Sequence, residues 1–192
     1  MIKRMILASA SPRRKDLLHM LGFTDLEICP ARGDEKPPLD AAPEEIVKAL
    51  SRAKAMEVAD ACGPDVLVVA ADTIVWLDGK LLGKPHSEEE AFSMLRMLSG
   101  RAHEVYTGIT LVDDAGVLSE AERSVVHFRP LSDAEIRRYI ACGEPMDKAG
   151  AYGAQGKGAL FVRAIEGDFF NVMGLPVCRL GEMLAKKGVT VL

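Results

Sequence analysis

Met5-Ile6-Leu7-Ala8-Ser9-Ala10-Ser11-Pro12-Arg13-Arg14-Lys15 passes from a short apolar run, through small residues, into a proline-led basic segment. Residues 5–8 predict a buried strand. Ser11 before Pro12 predicts a helix start, because Ser suits the cap and Pro sits comfortably at the first helical position. Leu17, Leu18, Met20 and Leu21 then form an inner face, and Gly22 ends the helix. A strand that turns directly into a helix sets the fold class, and the rest of the chain repeats the alternation.

Outward from this segment, residues 30–42 are rich in Pro, Asp and Gly and predict a loop. A second helix is expected over 43–61, with Ile46, Val47, Leu50 and Met56 on one side and Gly63-Pro64 as its stop. Residues 66–71 read as a fully buried strand from their unbroken apolar character. Asp78-Gly79 between 73–77 and 80–82 signals a hairpin. Ser87 with Glu90 and Ser132 with Glu135 read as capping boxes opening two more helices, the first turning Ala91, Met94, Leu95 and Leu98 inward. Long strands are expected at 103–113 and 117–129, joined at Ala115-Gly116. A glycine-rich stretch, a strand over 159–165 and a final helix over 176–186 complete the chain. The pattern is α/β, a mixed sheet with antiparallel hairpins among its strands.

The chain has 192 residues, 48% of them hydrophobic and 27% charged, with a net charge of −4. That size predicts one domain over 1–192, with two lobes around a cleft. The acidic balance argues against nonspecific nucleic-acid binding, which rests on a basic surface, so a phosphate ligand needs a local basic cluster. No apolar run is long enough to span a membrane. The short run at the N-terminus lacks the length and cleavage site of a signal peptide. Cys29, Cys62, Cys142 and Cys178 form no CxxC pair and read as reduced, packed thiols, which fits a cytoplasmic protein.

The N-terminal segment also carries chemistry. Free N–H groups and the positive dipole end of a helix favour an anion. Ser9 and Ser11 can donate to phosphate oxygens, and Arg13 and Arg14 offer planar forks for bidentate contact. The plainer alternative is a capped helix with solvated basic residues. Asp72 follows the buried strand, at the carboxyl end where ligands sit in open α/β sheets; equally, it could only open the hairpin. Asp34-Glu35 places two carboxylates in a loop, where solvation is the default. Magnesium takes one or two carboxylates plus substrate phosphates, and Glu35 with Asp72 could supply that pair. Lys84 lies in the turn Leu82-Gly83-Lys84-Pro85, and Lys54 on the second helix. Gln155, within the glycine-rich stretch, could read a base edge. His19, His86, His103 and His127 have no metal-binding spacing, and neither a Walker A nor a GxSxG motif is present.

Several stretches together resemble the Maf family of nucleotide pyrophosphatases over nearly the whole chain. They are Leu7-Ala-Ser-Ala-Ser-Pro-Arg-Arg14, Ala71-Asp-Thr-Ile-Val75, Leu82-Gly-Lys-Pro85, Leu98-Ser-Gly-Arg101 and His103-Glu-Val-Tyr-Thr-Gly108. Two longer stretches follow, Gly143-Glu-Pro-Met-Asp-Lys-Ala-Gly-Ala-Tyr-Gly153 and Ile165-Glu-Gly-Asp-Phe-Phe-Asn-Val-Met-Gly-Leu-Pro176. The resemblance implies an inosine-triphosphatase-like fold, a strongly twisted mixed sheet with flanking helices around a central cleft. It implies cytoplasmic cleavage of a nucleoside triphosphate to monophosphate and pyrophosphate with a divalent metal, Mg²⁺ or Mn²⁺. It makes Asp72 the catalytic proton acceptor and a metal ligand, and Glu35 an acidic residue near the metal. Ser9, Arg13, Arg14, Lys54 and Lys84 match phosphate-contacting positions. The family type cleaving dTTP and UTP carries Arg, Thr and Gln at three positions, here Arg13, Thr73 and Gln155. Arg32-Gly33 before Asp34-Glu35, and Ala53 beside Lys54, depart from the usual pattern. The resemblance also admits a homodimer, and two rival roles: a nucleotide-binding regulator of cell division without turnover, and a pyrophosphatase for modified purine triphosphates such as 7-methyl-GTP.

Overall fold

In the computed structural model, residues 4–33, 38 and 40–191 are described. The N-terminal apolar run forms β1 (Arg4–Leu7), and the proline-led segment forms α1 (Pro12–Met20). A two-residue strand, β2 (Glu27–Ile28), precedes the long α2 (Pro43–Cys62), β3 (Val66–Leu77) and β4 (Lys80–Leu82). Then come α3 (Glu88–Leu98), the hairpin of β5 (Ala102–Asp113) and β6 (Gly116–Phe128), and α4 (Asp133–Ile140). Three 3-10 turns, Glu144–Asp147, Ala149–Ala151 and Lys157–Phe161, lead into β7 (Val162–Glu166), α5 (Phe169–Met173) and α6 (Val177–Lys186).

The strands order as β2-β1-β3-β5-β6-β7, with β4 paired to β3. β1 runs parallel to both neighbours, matching Leu7 to Ile28 on one side and Leu7 to Val69 on the other. β4 is antiparallel to β3, and β7 to β6. The sheet is therefore mixed, as expected. The chain leaves β1 through α1 to one side and returns through α2 to the other. In open α/β sheets, the position outside the carboxyl ends of the strands at such a reversal is the favoured one for a ligand.

The chain divides into two compact units. The first comprises Met1–Asp72, Thr107–Glu122 and Gly174–Leu192; the second comprises Thr73–Tyr106 and Arg123–Met173. In the first unit, Ile6, Ala8, Val66, Val68 and Ala70 pack with Ala55 and Val58 of α2. The alternate residues Met5, Leu7, Leu67, Val69 and Ala71 are buried as well, so both faces of these strands are covered and the strands read as continuous apolar runs. α2 lies so close to β5 that a Cβ on Gly108 would come within 2.8 Å of the Lys48 amide nitrogen. In the second unit, Leu95, Leu98, Val126, Phe128, Ile136, Tyr139 and Tyr152 centre the core.

Local chemistry explains most boundaries. Gly63, at φ 74°, ends α2, and Gly143, at φ 77°, follows α4, where any other residue would be strained. Ser132 and Glu135 form a complete capping box. At α3 the box is shared differently: Ser87 accepts from Glu90 N–H at 3.1 Å, while the Glu90 carboxylate accepts from His86 N–H at 2.7 Å.

Four expectations change. Met20 is 57% exposed, because at 100° per residue it falls about 110° from the line midway between Leu17 and Leu18. Ser11 makes no side-chain cap bond; its N–H donates to Ser9 Oγ instead, at 3.2 Å. The strand expected from 159 starts only at Val162: residues 157–161 form a 3-10 turn, in which Ala159 N–H donates to the Gly156 carbonyl at 3.1 Å instead of to a neighbouring strand. β3 does not stop at Ala71 but continues to Leu77, so Asp72 lies inside a strand.

Candidate active site

Two parallel neighbours, β1 and β3, bring the N-terminal segment and Asp72 together. β1 ends at Leu7 opposite Val69, and Ala8 N–H donates to the Val69 carbonyl at 2.8 Å. β3 runs on beyond its shorter neighbour. Asp72 therefore lies beyond the last paired residue of β1 but inside its own strand. Alternation along β3 puts Asp72 on the face of Val68 and Ala70, the face covered by α2. There Lys54 of α2 meets it, donating from Nζ to Asp72 Oδ1 at 2.5 Å. Asp72 is 6% exposed, so this is a largely desolvated ion pair, and severing such a pair is costly.

Ser9, the first residue beyond this β1 contact, is 8% exposed. Its Oγ accepts from Ser11 N–H at 3.2 Å and from Arg14 Nη1 at 3.1 Å. Both lone pairs are thereby used, and the hydroxyl hydrogen is what Ser9 has left to donate. Arg14 is also held through Nε, which donates to the Gly174 carbonyl at 2.8 Å. Two anchors fix the plane of its guanidinium. Arg13 stands half-buried on the first turn of α1. Ser9, Arg13, Arg14, Lys54 and Asp72 all belong to the first unit: three cations, a hydroxyl donor and one carboxylate.

The remaining sequence-predicted residues lie elsewhere. Thr73 follows Asp72 on β3, on the opposite face by alternation, and opens the second unit. Lys84 is exposed in the turn after β4, and Gln155 is exposed in the turn between Gly153 and Gly156. Both belong to the second unit. Glu35, with Asp34, lies outside the described residues. Among the described residues, no group of three or more His, Cys, Asp or Glu side chains converges on a metal position.

The sequence did not single out Glu57. One turn along α2 from Lys54, its carboxylate accepts from Arg32 N–H at 2.7 Å and Gly33 N–H at 3.0 Å. These two backbone bonds pull its pKa below the ordinary glutamate value. Its spacing from Lys54 on the same helix was visible in the sequence, but a contact to a loop 24 and 25 residues earlier was not.

Known proteins place the chain in a family and a fold. The family model described as "Maf-like protein" matches residues 4–187. The chain belongs to the Maf family. A Pelotomaculum thermopropionicum protein named dTTP/UTP pyrophosphatase is 49% identical over 193 residues, covering all of both chains. One of the same name from Carboxydothermus hydrogenoformans is 50% identical over 187 residues, covering 96% of this chain and 99% of its own. A third, from Bacillus velezensis, is 50% identical over 179 residues, covering 93% and 94%. Among solved structures, a HAM1 protein from Coxiella burnetii aligns with a TM-score of 0.55 at 13% identity. The Staphylococcus aureus Ham1 protein aligns with a TM-score of 0.53 at 15% identity. Each covers 96% of this chain and is itself wholly covered. At those identities the likeness speaks for the fold, and it matches the inosine-triphosphatase-like architecture expected of a Maf chain. Among the described residues, no helix is long and apolar enough to cross a membrane.

Proposed function

We propose that this Maf chain is a nucleoside triphosphate pyrophosphatase that hydrolyses dTTP and UTP to the monophosphate and pyrophosphate. The observation that carries the proposal is the buried Lys54–Asp72 ion pair, with the doubly anchored Arg14 and the donor hydroxyl of Ser9 following the strand that pairs with β3. Full-length relatives at 49% and 50% identity that bear the dTTP/UTP pyrophosphatase name support the substrate pair.

The donor set suits a hard cation that arrives with its substrate. Mg²⁺ is commonly held by one or two carboxylates and completes its shell with phosphate oxygens and water. Asp72 and Glu35 are the residues that would hold Mg²⁺ or Mn²⁺. The cation, when bound, supplies positive charge to the triphosphate.

The chain's own residues do the rest. In the absence of substrate, Lys54 neutralises Asp72. A triphosphate offers the ammonium a partner of higher charge, and a shift of Lys54 toward phosphate frees Asp72 to accept the proton of the attacking water. The oxygen of that water forms a bond to the α-phosphorus, the α–β anhydride bond breaks, and pyrophosphate leaves with the electron pair. Catalysis of this kind rests on positioning and charge neutralisation. Ser9, Arg13 and Arg14 bind phosphate oxygens, a role the resemblance extends to Lys84. Thr73 and Gln155 are assigned to the pyrimidine edge, whose carbonyl and N–H groups match a hydroxyl and an amide. Four free thiols and the nucleotide substrate fit a cytoplasmic site of action.

The test is pyrophosphate release from dTTP, UTP, CTP and purine triphosphates with added Mg²⁺, for the wild type and Asp72→Asn. Wild-type turnover of dTTP and UTP, lost in the folded variant, supports the reading. Near-normal turnover by Asp72→Asn removes the proton-acceptor role, and binding without release by the wild type favours a regulator.

A further inference from the structure

Gln155 occupies a corner of the turn from Gly153 to Gly156, closed by Gly156 N–H donating to the Gly153 carbonyl at 3.2 Å. An exposed side chain on a glycine-rich turn selects a base only if the turn is held still. The holding is done by one carboxylate. Glu144 Oε1 accepts from Tyr139 OH at 2.9 Å and from Gly158 N–H at 3.1 Å, and its Oε2 accepts from Lys157 N–H at 2.9 Å. Tyr139 OH in turn accepts from Gly153 N–H at 3.1 Å. The turn is thus gripped before Gln155, through Gly153, and after it, through Lys157 and Gly158.

The glycines make room for the carboxylate and for the tyrosine hydroxyl. A Cβ on Gly156 would lie 2.6 Å from Glu144 Oε2, and one on Gly158 would lie 2.7 Å from the Gly153 carbonyl and 2.8 Å from Tyr139 OH. Lys148 fixes Glu144 from behind, donating from Nζ to the Glu144 carbonyl at 2.7 Å. Burial works to raise the Glu144 pKa, but the two amides and the tyrosine hydroxyl outweigh it, and its carboxyl is held below the ordinary value. All of these residues lie in the second unit.

We infer that Glu144, with Tyr139 as its relay, is a positioning residue for pyrimidine selection: it touches no substrate but sets where the Gln155 amide stands. This rests on the reading of Gln155 as a base-contacting side chain. A carboxylate suits the task because it accepts three hydrogen bonds and donates none. A Gln at 144 places an NH₂ group against at least one N–H or O–H donor and opens one end of the grip.

The experiment is a double-mutant cycle on kcat/KM for UTP and CTP, using Glu144→Gln, Gln155→Ala and the pair, with thermal melts to establish folding. Glu144→Gln is expected to lower the UTP-to-CTP ratio about tenfold, roughly one hydrogen bond's worth of recognition, through KM for UTP more than through kcat. In the Gln155→Ala background it should add no further loss of discrimination. Should Glu144→Gln fail to fold, Tyr139→Phe removes only the relay hydroxyl and is expected to give the same, smaller pattern. Additive losses in the cycle, or a folded Glu144→Gln with the wild-type ratio, overturn the inference while leaving the role of Gln155 standing. Full discrimination by Gln155→Ala overturns that role and the inference with it. Absence of UTP turnover by the wild type defeats the proposed function itself.

Discussion

His103 should make this protein acid-sensitive in a range where few groups titrate. It is 2% exposed, wedged edge-on between Phe128, at 5.0 Å between ring centroids, and Tyr152, at 5.4 Å. Nε2 pairs with Tyr152 OH at 2.8 Å, and Nδ1 has no hydrogen-bond partner among the described residues. A protonated ring would carry a charge into an apolar pocket with one N–H facing no acceptor. Burial, aided by the charge of nearby His127, accordingly lowers its pKa from 6.5 to about 4. The neutral ring is favoured only in the folded state, so its contribution is complete above about pH 6.5. That contribution disappears as the pH falls toward 4, where the folded form must also protonate. At about 1.4 kcal/mol per pH unit, the gap corresponds to a loss on the order of 3 kcal/mol, a sizeable share of the roughly 5–15 kcal/mol that holds a domain folded. Trp76, the single tryptophan, lies on β3 in the same unit as His103 and reports its unfolding. Urea titrations followed by Trp76 fluorescence at pH 7.5, 6.0 and 4.5 should show the wild type losing stability more steeply than His103→Asn, whatever their offset at pH 7.5. Parallel curves for the two proteins would refute the reasoning, because the remaining titratable groups are common to both.

Three other outcomes are expected. Gly108→Ala forces a methyl group against the backbone of Val47 and Lys48 and should destabilise the protein by about 1–3 kcal/mol; an unchanged midpoint in urea contradicts the close approach of α2 to β5. Lys54→Met leaves Asp72 with its carboxylate charge uncompensated by the ammonium and should cost about 3–5 kcal/mol, with a matching loss of turnover. Lys54→Met at wild-type stability would mean that the pair is solvated. Chelation by EDTA should abolish pyrophosphate release and leave the melting midpoint unmoved, because the proposed cation arrives with its substrate; a lowered midpoint would reveal a structural ion.

Much of the architecture was legible because it is local. Ser132 and Glu135, three residues apart, announced a helix start that forms as a complete capping box, and the glycines at 22, 63 and 100 marked chain reversals at positive φ. The unbroken apolar run at 66–71 announced a strand buried on both faces. Its continuity with the hairpin strand at 73–77 was hidden because Asp72-Thr73 looks like a boundary in sequence; the ammonium of Lys54, 18 residues earlier, is what lets a carboxylate stand there. β2 could not be read at all, since Glu27 and Ile28 are both exposed and show no alternation. The site divides in the same way. Ser9, Arg13, Arg14 and Asp72 lie in or beside recognisable strand and helix junctions. Glu57 and Glu144 act through backbone amides 24 and 25, and 13 and 14, residues away, and a carboxylate that binds distant amides has no local signature. Gly108 looks like any strand glycine until the α2 backbone is laid over it.

The bond from Arg14 to the Gly174 carbonyl has a bearing on biosynthesis. On the ribosome, the first fifteen residues emerge long before the carbonyl that orients their arginine. A nascent chain halted anywhere before position 174 therefore carries Arg14 without the carbonyl that receives its Nε. The N-terminal basic segment acquires this anchor among the last events of translation, and, on the proposed phosphate-binding role of Arg14, C-terminally clipped products should be poor at capturing nucleotides even when Asp72 and Lys54 are intact.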